Sequence, residues 1–187
     1  MRIGVVNGVA GKYTYPSWSG TQFTDAESRV YADGFRTVKA YSACSYLTDY
    51  PLQTSWSSTP TSITELLQTT QFDTMLTRGW ACVILTWFSF ANGATNWWRA
   101  NPSSAKMAAD YTERKTAASY LLTRLNGLGV DIRIQNWEGD WAFMDSTTVN
   151  TRVDRHMVDR YVAFLGMCQR AITDARRETP SDCKISF

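Results

Sequence analysis

The chain is predicted to adopt an α/β fold: a parallel sheet of five strands with four intervening helices, curved as a partial (β/α)8 TIM-type barrel and filling 1–187 as one domain. Three observations predict it. Short apolar runs alternate with longer helix-periodic segments along the chain. The helical segments carry recognisable end signals. The third apolar run is hydrophobic at successive positions, as a strand covered on both faces must be.

The elements follow in order. Arg2 to Asn7 (RIGVVN) reads as a short buried strand. Thr24 to Glu27 has the T-x-x-E form of a capping box and opens a helix that stops at Asp33-Gly34. Phe35 to Tyr41 (FRTVKAY) is the second strand, and a polar loop through Pro51 and Pro60 follows it. Ser62 to Glu65 forms another capping box, with Leu66, Phe72, Met75 and Leu76 as the apolar face of one helix closing at Arg78-Gly79. Ala81 to Phe88 (ACVILTWF) is the third strand. A helix from about Ser103 to Leu125 ends at Asn126-Gly127, where glycine suits a left-handed C-cap. Val130 to Trp137 (VDIRIQNW) is the fourth strand, Arg152 to Arg177 the fourth helix, and Cys183 to Phe187 the fifth strand.

Two closures of such a sheet compete, a doubly wound sheet and a barrel. The first strand-to-helix turn, NGVAGKYTYPS, lacks GxGxxG, the main signature of a dinucleotide fold. Strand starts recur about every 33 to 50 residues, which fits barrel units with loop insertions. The barrel is therefore the expectation.

Composition narrows the function. A net charge of +2 with dispersed Lys and Arg argues against nucleic acid. No apolar stretch is long enough for a membrane span, and an immediate strand after Met1 leaves no signal peptide. Cys44, Cys82, Cys168 and Cys183 show no CxxC spacing, and Cys82 and Cys168 read as buried free thiols. Eight Trp is a high count, and Trp18, Trp56, Trp97, Trp98 and Trp141 fall in Gly-, Ser- and Asn-rich stretches. Such indoles either stack on sugar rings or plug the ends of a barrel. His156, the only histidine, lies on the fourth helix, so Ser-His-Asp and Cys-His chemistry lack a base.

Barrel chemistry sits where strands end. There the chain reads Gln135-Asn136-Trp137-Glu138-Gly139-Asp140-Trp141, with two carboxylates, two indoles and an amide pair in seven residues. Glycosidic cleavage needs one carboxylic acid to protonate the leaving oxygen and a second to attack or to activate water. Indoles beside Glu138 would exclude water and keep it protonated. Asp140, two residues on and about 7 Å away in extended chain, is a second carboxylate at a spacing closer to inverting than retaining enzymes. The structural alternatives are a salt bridge of Glu138 with Lys39 or Arg133, and an N-cap or loop hydrogen bond for Asp140. Asn7, Lys39, Tyr41 and Trp87 end the first three strands as further candidates for a sugar subsite, or as fillers of the barrel.

The strand-terminal QNWEGDW, with GFRTVKAY on strand two and LTWF on strand three, resembles (β/α)8 glycoside hydrolases of the large retaining clan. The resemblance implies that Glu138 is the acid/base at the end of strand four, that a nucleophile Glu ends strand seven, and that Asn136 contacts the sugar. In that clan the Asn directly precedes the Glu, whereas here Trp137 stands between them. Substrate contacts are expected from Asn7, Lys39, Tyr41, Trp87, Asn136, Trp137, Asp140 and Trp141. The partner implied is a carbohydrate, with no metal, organic cofactor, nucleic acid or membrane. A half barrel would expose strand edges and interior, predicting self-association or pairing with a missing C-terminal half. A non-catalytic carbohydrate-binding or structural half barrel and a truncated gene product are the rival readings.

Overall fold

The computed structural model describes residues 3–5, 22–93, 97–136 and 155–187. Of the expected site residues, Asn7, Trp137, Glu138, Asp140 and Trp141 lie outside them, as do Trp18 and the ends of the first and fourth predicted strands.

The fold is α/β. Strands β1 (Ile3–Val5), β2 (Thr37–Ala43), β3 (Cys82–Phe88), β4 (Asp131–Gln135) and β5 (Lys184–Ser186) form one parallel sheet in the order β1-β2-β3-β4-β5. The helices are α1 (Gln22–Ala32), α2 (Tyr46–Asp49), α3 (Ile63–Leu67), α4 (Thr70–Leu76), α5 (Ser104–Arg124) and α6 (Arg155–Glu178), with a 3-10 turn at Trp97–Ala100. Parallel neighbours require crossovers, and right-handed crossovers that always advance in one direction put their helices on one face of the sheet.

The side chains agree with that arrangement. In register, Val38, Val83, Ile132 and Ile185 cross the sheet as one row, and Ala40, Leu85 and Ile134 as the next. None is more than 4% exposed. They pack in one core with Phe23 of α1, Leu66 of α3, Phe72 of α4, Leu121 of α5 and Ile172 of α6. Alternation sends the intervening residues to the other face. There Thr37, Cys82 and Thr86 are buried, Lys39, Tyr41 and Ile84 half-buried, and Arg133, Gln135, Lys184 and Ser186 exposed. Among the described residues, no helix is long and apolar enough to cross a membrane.

Three local expectations are corrected. The predicted helix from Ser62 is two helices, α3 and α4. Ser62 caps the first by accepting from the Glu65 N–H at 3.1 Å. The Thr69 hydroxyl then captures the Phe72 N–H, so a second N-cap interrupts the apolar periodicity. In α1, Thr24 lies inside the helix rather than at its cap. The Phe23 N–H instead donates to Oε1 of Gln53, 3.0 Å away, a residue distant in sequence. Glu27, expected to complete the capping box, is buried and paired with Arg78. The polar loop after β2 also holds the short helix α2, which periodicity could not reveal in four residues.

Among the described residues, the loop indoles Trp56, Trp97 and Trp98 are packing residues. Trp56 lies edge-on to Tyr46 at 5.1 Å and stacks on Phe72 at 6.2 Å. Trp97 and Trp98 are buried against Phe164, Met167 and Cys168 of α6 in a second core. All three indoles serve packing between elements.

The two faces of β3 should respond differently to truncation. Leu85→Ala should cost about 3 kcal/mol, because it opens a cavity under the helices. Ile84→Ala, on the other face, should cost under about 1.5 kcal/mol. Urea denaturation of both variants checks this, and equal losses would contradict the assignment of faces.

Candidate functional site

Strand order brings the C-terminal ends of β2, β3 and β4 to one rim, but alternation divides the expected residues between two faces. Lys39 and Tyr41 share the face opposite the helices. Tyr41 stands in register with Thr86 and Thr86 with Gln135, so a ring, a hydroxyl and an amide form one row. The Tyr41 ring also stacks on Phe88 with centroids 6.4 Å apart and an interplanar angle of 26°. The backbone beneath that ring is clipped. The Tyr41 N–H donates to the Tyr50 hydroxyl at 2.7 Å, and this hydroxyl donates to the Tyr41 carbonyl at 3.1 Å. Burial drives the Tyr50 phenol far above its ordinary pKa, so it remains a donor.

Trp87 and Asn136 turn the other way. Trp87 is fully buried in the helix-covered core, in register with Ser42. It is a core filler rather than a sugar contact, because the residue on either side of it takes the opposite face. Asn136 donates its amide to the hydroxyl of Tyr161 on α6 at 3.0 Å. It fastens the end of β4 to a helix instead of presenting itself on the face of Lys39 and Tyr41. The face thus gains Thr86, Phe88, Arg133 and Gln135, which the sequence reading passed over as candidates. Counting in twos from Lys39 through the parallel register would have found them.

Behind the rim lies a buried polar cluster on α5. Glu113 accepts four hydrogen bonds: from the Ile63 N–H at 2.9 Å, the Ser89 hydroxyl at 2.7 Å, the Phe90 N–H at 3.0 Å and the Ala91 N–H at 2.8 Å. One carboxylate therefore fixes the chain leaving β3 and the start of α3. Asp110 and Arg114 form an ion pair at 3.2 Å with side chains 0% and 2% exposed. The Arg114 guanidinium also donates to the Trp87 carbonyl at 3.5 Å and lies over the Phe164 ring. Burial raises the Asp110 carboxyl above its ordinary range, against the pull of Arg114.

Other reactive groups are quiet. The four cysteines are free thiols, and burial raises each above its ordinary value, Cys168 and Cys183 to about 11. Each is thereby held toward the thiol form, which disfavours nucleophilic sulfur chemistry. His156 is exposed in the first turn of α6. A cleft of about 530 Å³ between α3 and α5 is lined by Thr61, Ser62, Glu65, Gln68, Thr112 and Glu113. Its carboxylates are engaged already, Glu65 by the N–H and hydroxyl of Thr61, and Glu113 by its four donors. The rim face is the better candidate, since it offers an aromatic ring beside groups able to form hydrogen bonds.

No protein-family model, curated protein or solved structure matches the chain.

The α5 cluster makes a prediction about pH. A carboxyl raised by folding contributes most stability in acid, and that contribution is lost as pH rises through its folded value. Arg114→Met removes the counter-charge and enlarges this loss. The variant should be about 3 kcal/mol less stable than the parent at pH 8, recovering part of the deficit by about pH 5 as Asp110 takes up a proton. Paired urea titrations at the two pH values measure it; a deficit independent of pH would mean that Asp110 stays ionised throughout.

Proposed function

We propose that the chain is part of a glycoside-hydrolase-type (β/α) barrel that cleaves O-glycosidic bonds, with Glu138 as general acid/base. The observation that carries this reading is the strand order. A doubly wound sheet reverses direction about its first strand, whereas here β1 to β5 advance one way, as a barrel wall does. Helices on one face and polar groups on the other are what a wall with a reactive interior requires. The sequence WEGDW begins directly after Asn136, at the end of β4 where barrel chemistry is expected.

In this reading Glu138 protonates the leaving oxygen, and a second carboxylate attacks the anomeric carbon or activates water. The resemblance assigns that second role to strand seven of a full barrel, while Asp140 is the nearest carboxylate within the chain. Half-buried Tyr41, backed by the buried Phe88 ring, offers an apolar ring to a sugar, with exposed Gln135 alongside for its hydroxyls. The same ring also favours a second reading, a carbohydrate-binding wall without catalysis, because stacking needs no acid. Among the described residues no strand pairs with the outer side of β1 or β5, which supports self-association or pairing with a further half in either case.

Two outcomes separate these readings. Glu138→Gln should cut turnover of glycosides with poor leaving groups by about a hundredfold or more, while aryl glycosides with activated leaving groups lose far less. A leaving-group series measures this, and equal losses would remove Glu138 from the acid role. Tyr41→Ala should weaken oligosaccharide binding by about 1 kcal/mol, as read by calorimetry, whether or not the chain is catalytic. Unchanged affinity would count against the ring platform.

A further inference from the structure

The face that carries Tyr41 also carries a charge pattern that a platform for neutral sugars does not need. Lys39 and Arg133 occupy one register row, on either side of Ile84. Lys184 stands in register with Asp131, one residue pair nearer the strand starts. Adjacent strands lie about 4.8 Å apart, so the backbones of Lys39 and Arg133 are about 10 Å apart and β5 lies about 5 Å further on. Neither lysine forms an ion pair with any described residue. Arg133 makes one contact to Asp131 at 3.4 Å while its side chain stays 63% exposed. Such an exposed contact contributes little and is readily exchanged for another anion.

Among the described residues, three cations therefore meet one carboxylate on a face where a parallel sheet ordinarily carries apolar side chains. In a closed barrel they would be enclosed, and costly unless anions met them. A second copy of the chain laid face to face would bring the same cations together, which disfavours it as the occupant. The row nearer the rim holds Tyr41, Thr86 and Gln135, and the buried Thr86 hydroxyl has no hydrogen-bond partner.

We propose that this face binds an acidic oligosaccharide, one whose rings carry carboxylates. Lys39 and Arg133 each hold one carboxylate, and Tyr41 stacks on a ring nearer the rim. Arg133 suits the role because its planar guanidinium matches a carboxylate in two parallel hydrogen bonds. The proposal rests on the carbohydrate reading above and narrows it to a substrate class.

The test is calorimetry on the full chain with uronic-acid tetrasaccharides (galacturonate, glucuronate and mannuronate), their fully methyl-esterified forms, and cellotetraose. At least one acidic tetramer should bind about tenfold or more tightly than its ester at low salt, and lose that preference in about 0.5 M NaCl. Lys39→Met and Arg133→Met should each weaken the acidic form about tenfold and the ester by clearly less. The salt series uses the unaltered protein, so it decides the matter even if a variant fails to fold. Acid and ester bound equally would overturn the acidic class while the carbohydrate reading stands. Inorganic polyphosphate bound as tightly as the acidic tetramers would overturn it too, reducing the cations to a general anion patch. Failure of every oligosaccharide to bind would remove the carbohydrate reading, and the proposal with it.

Discussion

A parallel sheet whose strands succeed one another in chain order receives its crossover helices on one face. Much of the described structure depends on that constraint. It makes Val38, Val83, Ile132 and Ile185 a continuous apolar layer, because the helices that connect the strands must bury something against the sheet. It also frees the opposite face from packing with those helices. Lys39, Arg133 and Lys184 can stand where a doubly covered sheet would demand Val or Ile. Polar composition on that face and apolar composition on the other are two results of one topology.

The constraint reaches the rim through α5. Crossover helices run antiparallel to their strands, so the N-terminal half of α5 lies beside the end of β3. Glu113 gathers the N–H groups of Phe90 and Ala91 there, and Arg114, the next residue, reaches the Trp87 carbonyl. These contacts fix the path of the chain as it leaves the strand and thereby fix the position of Phe88, on which Tyr41 stacks. A buried ion pair is a poor source of stability by itself. Here the charged groups satisfy backbone polar atoms that leave the sheet ladder, a task for which apolar side chains have no atoms.

Elements with strong local signals were legible in the sequence: β3 from its apolar run, α5 from its Ser103 start and Gly127 stop, and α6 from its periodicity. Less legible were junctions where a side chain from elsewhere decides the outcome. Gln53 caps α1 from about 30 positions away, and Thr69 divides a helix whose apolar pattern runs on past it. At the candidate site, Lys39 and Tyr41 were expected to end strand two but lie within β2, which runs on to Ala43, and Trp87 was assigned to the rim by proximity in sequence. A one-residue step reverses the face of a strand, so a tryptophan next to Phe88 is as far from the open face as the sheet allows. The same step separates Asn136 from Gln135. Glu138 and its neighbours rest on sequence alone.

The clip between Tyr50 and β2 carries a further consequence. A strand's exposed N–H and C=O groups are an invitation to whatever extended chain passes by, and their number sets how far a neighbour can zip along it. At Tyr41 both groups are already taken by one buried phenol. The backbone of β2 at Tyr41 is thus occupied by a side chain belonging to its own downstream loop, and that residue offers no template for sliding register or for recruiting a foreign strand. An aromatic hydroxyl here performs the quality control that many sheets assign to a proline or a bulge.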